Sequence, residues 1–236
     1  MNSENTTLTA RSHAFSPAMM DLALRPQGTE AGPVGGKFKR AMDILLALSA
    51  MIVLLPIIGM IVLLLKMSTR DSAIFSHQRV GYRGKSFKCL KFRTMVSNGD
   101  QVLADHFARF PAARAEWEAD RKLRDDPRVT PVGRILRSSS LDELPQIFNV
   151  LQGSMSIVGP RPIVGAEIER YGVAYGSYQS CRPGITGLWQ VSGRSNCGYE
   201  QRVELDDSYA RKWSVLQDCW IIWKTVGVVI KREGSC

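Results

Sequence analysis

Asp142 and Glu143 stand side by side between a basic run, Arg134-Ile-Leu-Arg137, and an apolar stretch in which Leu141, Leu144, Ile147, Phe148 and Leu151 recur at helical spacing. Ser140 followed three residues later by Glu143 matches a capping box, and Pro145 is tolerated only in or near a first turn. A helix is therefore predicted to begin at Ser140 to Asp142. Acids at such a place can simply complement the helix dipole. They can also do chemistry. Free backbone N–H groups hold a carboxylate ionised, which leaves it available as a nucleophile or as a ligand for Mg²⁺, and its neighbour can share the metal. Arg134 and Arg137 precede the pair, and Arg161, Arg182 and Arg194 follow it in Gly/Pro turns. A guanidinium on a stiff turn offers a planar fork to phosphate oxygens at little entropic cost. One such arginine is ordinary surface; five around an acidic pair point to phosphate.

These groups need elements to carry them. Ala73-Ile-Phe75 and Ser86-Phe-Lys-Cys-Leu-Lys-Phe92 flank the Gly81-Tyr-Arg-Gly84 turn and predict a β-hairpin. Residues 102–122, with Leu103, Phe107, Phe110 and Trp117 among charges, predict a helix, with Pro111 as the start of a second. Trp213 to Ile230 predicts a last helix whose Trp220, Ile221, Ile222 and Trp223 suit either a protein core or a headgroup layer. Residues 1–36, rich in Ser, Thr, Gly and Pro and without apolar periodicity, read as a disordered tail. From Ile44 to Leu65 about 22 residues run without a charge, enough to cross hydrocarbon. Lys37, Lys39 and Arg40 precede this run and Lys66, Arg70, Arg79 and Arg83 follow it, so the positive-inside tendency puts both flanks on the cytoplasmic side. Pro56, at its centre, is the predicted breaking point. Topology alone leaves two forms open, a kinked single span and a helix that enters, bends and leaves on one face.

Composition narrows the partners. The 236 residues, 44% of them hydrophobic, suffice for one core of ordinary domain size. Lys and Arg number 31 against 22 acids, and the formal charge of +9 favours anionic partners. Nucleic acid is disfavoured by the lack of zinc-finger spacing, of an RNA-recognition aromatic pattern and of leucine heptads behind a basic region. Lipid and phosphorylated small molecules remain. Cys89, Cys181, Cys197, Cys219 and Cys236 are scattered and never paired as C-x-x-C, which argues against a disulfide framework or a zinc site and suits a reducing compartment. His13, His77 and His106 stand alone and are not expected to ligate metal.

The Pro-broken apolar run, Lys91-Phe-Arg-Thr-Met95, Asp126-Pro-Arg-Val-Thr130, Gly133-Arg-Ile-Leu-Arg137, Ser140-Leu-Asp-Glu-Leu-Pro-Gln146, Met155-Ser-Ile-Val-Gly-Pro-Arg-Pro162 and Arg182-Pro-Gly-Ile-Thr-Gly187 follow one another over about residues 38–231. In that order they closely resemble the bacterial sugar transferase family, the monotopic polyprenyl-phosphate phosphoglycosyl transferases that begin exopolysaccharide, capsule and glycoprotein glycan synthesis. The resemblance implies that Asp142 attacks the β-phosphate of a UDP-sugar and expels UMP, and that undecaprenyl phosphate then discharges the covalent phosphosugar. It implies Glu143 as the partner of Asp142 for Mg²⁺, and Lys91, Arg137, Arg161 and Arg194 as phosphate contacts. Arg93 and Arg182 join them on charge and position alone. The resemblance also favours the re-entrant form, although Leu55 stands before Pro56 where members often have Ser. The expected fold is α+β: a re-entrant helix-break-helix over 37–68 joined to a small, mainly helical cytoplasmic catalytic domain with short strands over 69–236. The expected location is the cytoplasmic face of the bacterial inner membrane. Membrane lipid and downstream glycosyltransferases are expected partners, and homodimerisation is open. The alternative is a non-catalytic membrane scaffold of a polysaccharide assembly complex, which would need neither the acidic pair nor its arginines.

Overall fold

A computed structural model describes residues 32–68, 71–120, 123–193 and 198–231. The tail expected over 1–36 falls almost wholly outside the described residues, and Arg194, Cys197 and Cys236 lie outside them too.

The apolar run forms α1, Gly36–Ser68, which is helical throughout with Pro56 inside it. The break read from the sequence is therefore not a loss of helix. Proline removes one backbone donor, and a helix of 33 residues held at both ends accommodates that loss. Its N-terminal end is tied down by polar groups. Lys39 Nζ donates to Asp218 Oδ2 at 2.6 Å, with both side chains buried. Arg40 donates to the carbonyls of Val150 and Leu151 at 2.6 and 2.9 Å. Asp43 Oδ1 accepts from Ser156 Oγ and from the Ile157 N–H. Towards the other end, Ile61 and Leu65 are buried with Ala73, Phe92 and Leu136. The outward face of α1, including Ile52, Val53, Leu55, Met60 and Leu63, is exposed and apolar. Only 11% of its most apolar stretch is buried, so this is not the core helix of a soluble protein.

The hairpin forms as expected. β1, Ile74–Val80, pairs antiparallel with β2, Ser86–Phe92, from Ile74 opposite Phe92 to Val80 opposite Ser86. A single 3-10 turn, Tyr82–Gly84, joins them, with Arg83 at φ 56° and Gly84 at φ 70°. The charged stretch that follows splits at Pro111 into α2, Gly99–Arg109, and α3, Pro111–Asp120. Next come α4, Pro131–Ser138, and α5, Gln146–Gln152, then β3, Ser156–Val158. After two short helices, α6 (Ile168–Tyr171) and α7 (Tyr175–Gln179), β4, Gly184–Thr186, pairs parallel with β3. The chain ends in α8, Leu188–Val191, α9, Tyr199–Lys212, and α10, Val215–Lys231.

Two observations explain why the glycine motifs have glycine. A Cβ on Gly133 would lie 2.1 Å from the Thr94 carbonyl oxygen, so only glycine lets α4 close onto the end of β2. A Cβ on Gly159 would lie 2.3 Å from the Arg182 carbonyl oxygen, and one on Gly184 would lie 2.1 Å from the Gly159 nitrogen. The segment Gly159-Pro-Arg161 and the turn Arg182-Pro-Gly184 thus touch backbone to backbone, clamped by the Gly159 N–H on Thr186 O at 2.9 Å and the Gly184 N–H on Pro160 O at 2.8 Å.

The expected helix start at Ser140 to Asp142 is corrected. Ser140 adopts a left-handed conformation, φ 57°, without a side-chain cap, and Leu141–Glu143 is one 3-10 turn. The helix proper begins at Gln146, after Pro145. Ser140 turns the chain between α4 and α5 instead of capping it, so no capping box forms, and Asp142 and Glu143 sit on a tight corner, not on the first turn of α5.

Candidate active site

That corner faces a cleft of about 600 Å³. Lys91, on β2, reaches across it: its Nζ lies 2.6 Å from Glu143 Oε1 and 3.8 Å from Asp142 Oδ2. The Asp142 side chain is 14% exposed, against 34% for both Lys91 and Glu143. Burial is the largest influence on Asp142 and raises its carboxyl above the usual carboxylate range; Lys91 opposes this, while Glu143 adds to it. The sequence reading, in which helix N–H groups hold this acid ionised, is thereby corrected. Its own backbone N–H is a minor contributor, and the lysine is the chief stabiliser of its charge.

The walls follow from the elements already described. Thr130 caps α4 by accepting from the Gly133 N–H at 2.9 Å, and Pro131 supplies the first turn. Because Gly133 lets α4 approach Thr94, Arg137 one turn later donates its Nε to Thr94 Oγ1 at 2.9 Å and lines the cleft. Arg93 also lines it, donating to Ser72 O at 2.8 Å with its guanidinium over Phe75. The clamp between β3 and β4 projects Arg161 into the cleft, where its guanidinium lies 5.2 Å from the centroid of the Trp189 ring. Of the arginines that sequence reasoning placed at the site, Arg182 does not belong: its Nε donates to Gly153 O at 2.9 Å at the end of α5, beside Arg40. It braces the fold from outside the cleft.

Four contributors escaped the sequence reading. Arg202, from α9, and Trp189, from α8, line the cleft, and the guanidinium of Arg202 lies 4.6 Å from the Trp189 centroid. Arg128 lines it as well, paired to Asp126 at 2.6 Å and stacked on Trp117. Behind the wall, Asp206 accepts from Tyr171 at 2.7 Å and from the Arg161 N–H at 3.4 Å, and burial pushes its carboxyl up to about 7. Arg128 lies inside a quoted motif and could have been read there; Arg202 and Asp206 stand one helical turn apart on α9, a spacing that marks a shared face but not what it faces.

Among the described residues no cluster of three or more His, Cys, Asp or Glu could hold a metal by itself. The adjacent hard carboxylates of Asp142 and Glu143 nonetheless suit Mg²⁺, which takes one or two protein carboxylates and leaves its other positions to water and substrate phosphate.

A largely buried carboxylate met by a lysine and ringed by arginines suits phosphate chemistry. The sequence model of the family described as bacterial sugar transferase matches residues 34–232. The chain belongs to the bacterial sugar transferase family. This sugar transferase is 50% identical over 211 residues to the exopolysaccharide production protein ExoY of Sinorhizobium fredii, which covers 89% of the chain and 93% of that protein. It is 48% identical over 229 residues to the undecaprenyl-phosphate galactose phosphotransferase of Salmonella typhimurium, covering 96% of the chain and 47% of that protein. It is 40% identical over 207 residues to the UDP-glucose:undecaprenyl-phosphate glucose-1-phosphate transferase of Escherichia coli, covering 84% of the chain and 41% of that protein. The sugar transferase thus spans nearly all of the first relative and less than half of the other two. It is a phosphotransferase enzyme, as its named relatives support, which speaks against the non-catalytic scaffold alternative.

Proposed function

We propose that this sugar transferase moves a hexose 1-phosphate from a UDP-sugar to undecaprenyl phosphate, giving undecaprenyl-diphospho-sugar and UMP as the first membrane step of exopolysaccharide synthesis. The observation that carries this reading is the Asp142 carboxylate, largely buried and 3.8 Å from Lys91, in a cleft walled by Arg137, Arg161 and Arg202. An Asp142 oxygen attacks the β-phosphorus of the nucleotide sugar. The bridging P–O bond breaks, and UMP leaves with the electron pair. An ionised oxygen of the lipid phosphate then attacks the phosphorus, breaks its bond to Asp142 and regenerates the carboxylate. The acceptor is already anionic, so this second step needs no strong base. Lys91 favours the charged form of Asp142 against its burial, and the arginines receive the phosphate oxygens. Mg²⁺ held by Asp142 and Glu143 would supply Lewis-acid neutralisation of phosphate charge. The names of the relatives support galactose or glucose as the sugar.

The seating of α1 supports the re-entrant topology. At about 1.5 Å per residue the helix is longer than the hydrocarbon core is thick. Yet Lys39 at one end and Leu65 at the other are both buried against the same domain. A straight crossing would carry one end away and split the buried Lys39–Asp218 pair, at about 3–5 kcal/mol. A helix held at both ends instead sinks its apolar outward face into the cytoplasmic leaflet and puts the cleft where a soluble nucleotide meets a lipid headgroup.

The test uses purified enzyme, Mg²⁺ and sugar nucleotide labelled in its β-phosphate, without lipid. The protein should take up label with release of about one UMP per active site, and Asp142→Asn should take up none. Turnover by Asp142→Asn near the wild-type rate would move the nucleophile elsewhere.

A further inference from the structure

The cations of the cleft differ in how they are occupied. Lys91 is bonded to Glu143, Arg128 is paired with Asp126, Arg137 donates to Thr94 and Arg93 donates to Ser72. Arg161 and Arg202 converge on one indole ring, at 5.2 and 4.6 Å from its centroid, and among the described residues neither guanidinium has a carboxylate within ion-pair distance. The buried acid behind them, Asp206, accepts from the Tyr171 hydroxyl and the Arg161 backbone N–H on Oδ2, while its Oδ1 has no hydrogen-bond partner among the described residues. Two N–H donors are buried here without an acceptor among the described residues: Arg202 Nε and Trp189 Nε1. A buried charged donor left unpaired is costly, and two like charges drawn to the same ring repel. Both costs are relieved by one ligand, a phosphate oxyanion that accepts from the forks of both arginines. The Trp189 and Tyr199 rings, the latter with its centroid 5.2 Å from Arg202, meanwhile help to position the guanidinium.

We infer that Arg202, acting with Arg161 on the Trp189 ring, forms a second phosphate subsite, which holds a phosphate other than the one attacked at Asp142. This rests on the transfer reaction proposed above and assigns a part of it. The reaction brings two such phosphates to the cleft, the α-phosphate of the nucleotide and the phosphate of the lipid acceptor. Their chemistry is shared, and the kinetics separate them.

The experiment measures UDP binding by calorimetry, the first half-reaction by label uptake, and discharge of the loaded enzyme to undecaprenyl phosphate, for wild type, Arg202→Gln and Arg202→Lys in the same detergent. Loss of one charge-assisted hydrogen bond predicts a weakening of about tenfold or more in the Gln variant, with partial recovery in the Lys variant. Weaker UDP binding and a raised KM for sugar nucleotide, with discharge unchanged, assign the subsite to the nucleotide. Normal UDP binding with slow discharge and a raised KM for lipid phosphate assigns it to the acceptor. Thermal melts check folding, and should the Gln variant not fold, the Lys variant carries the test, since it keeps the stem and the charge and loses only the fork. Less than a twofold change in every measurement would overturn the proposal and leave Arg202 as packing for Trp189 and Tyr199. If the wild-type protein takes up no label, the covalent reading fails separately, and UDP binding with the lipid KM in overall transfer still reads the subsite.

Discussion

At the scale of single residues, the proposed chemistry depends on a carboxylate whose charged form burial disfavours. Burial raises the Asp142 carboxyl and Lys91 lowers it, so the sign of two pH effects follows. As pH falls through the folded-state value, Asp142 becomes protonated and stops attacking phosphorus. Lys91→Met removes the group that lowers Asp142, so the acid limb of the label-uptake rate should move to higher pH in that variant. A limb that lies at the same pH in both proteins would remove Asp142 from the attack. The same shift acts on stability. An acid whose folded value is raised destabilises the fold when ionised, so the penalty is present at neutral pH and disappears as pH falls through the folded value. Asp142→Asn should consequently melt no lower than wild type at neutral pH while losing label uptake, the usual conflict between stability and function at a site. Arg161→Lys keeps the charge but not the fork and should lose about tenfold or more in transfer rate, measured as UMP release. Full activity would reduce Arg161 to charge balance. These residues were legible as types in a pattern: the acidic pair, Lys91, Arg137 and Arg161 all line the cleft. Arg182 was misplaced because a Gly/Pro turn shows that an arginine is held, not which way it points.

At the scale of elements, close backbone approach positions the site. Gly133→Ala would drive a methyl into the Thr94 carbonyl oxygen, 2.1 Å away, and α4 must shift to admit it. The expected cost is about 1–3 kcal/mol of stability, read from denaturation, with a larger fractional loss of UMP release because Arg137 rides on the same helix. Unchanged activity would mean that Arg137 is not positioned by Thr94. At the other side of the domain, Lys39→Met leaves Asp218 buried among Tyr209 and Trp213 without its cation. A loss of about 3–5 kcal/mol is expected, and Lys39→Met combined with Asp218→Leu should recover part of it. The hairpin, the division at Pro111 and the last helix were readable from period and turn chemistry. The start of α5 was not, because Ser140 and Glu143 satisfy the capping-box pattern while Ser140 takes a left-handed turn that no local preference announces.

At the scale of the whole molecule, α1 is not alone in exposing apolar side chains: Leu216, Trp220, Trp223 and Val226 on α10 are exposed as well, and Lys224 lies 5.7 Å from both tryptophan centroids. Ile221 on the same helix is fully buried. Of the two places the sequence offered for this helix, the core thus holds one face, and the opposite face is exposed. For topology, single cysteines at position 30 and at the exposed position 219, each on a background otherwise free of cysteine, should react from the same side of the membrane. Labelling from opposite sides would replace the re-entrant reading by a span. By itself the sequence determined the chemistry available and the elements that carry it, since residue type, spacing and hydrophobic period are local properties of the chain. It determined the family for the same reason: ordered motifs survive as strings. Only the tertiary structure decided that Pro56 leaves α1 unbroken, that both ends of α1 return to one domain, that Arg182 faces away and that Arg202 faces in. Each of these depends on contacts between residues far apart in the chain, where the winning arrangement is set by burial and by the partners left for buried charges, and no local pattern encodes that competition.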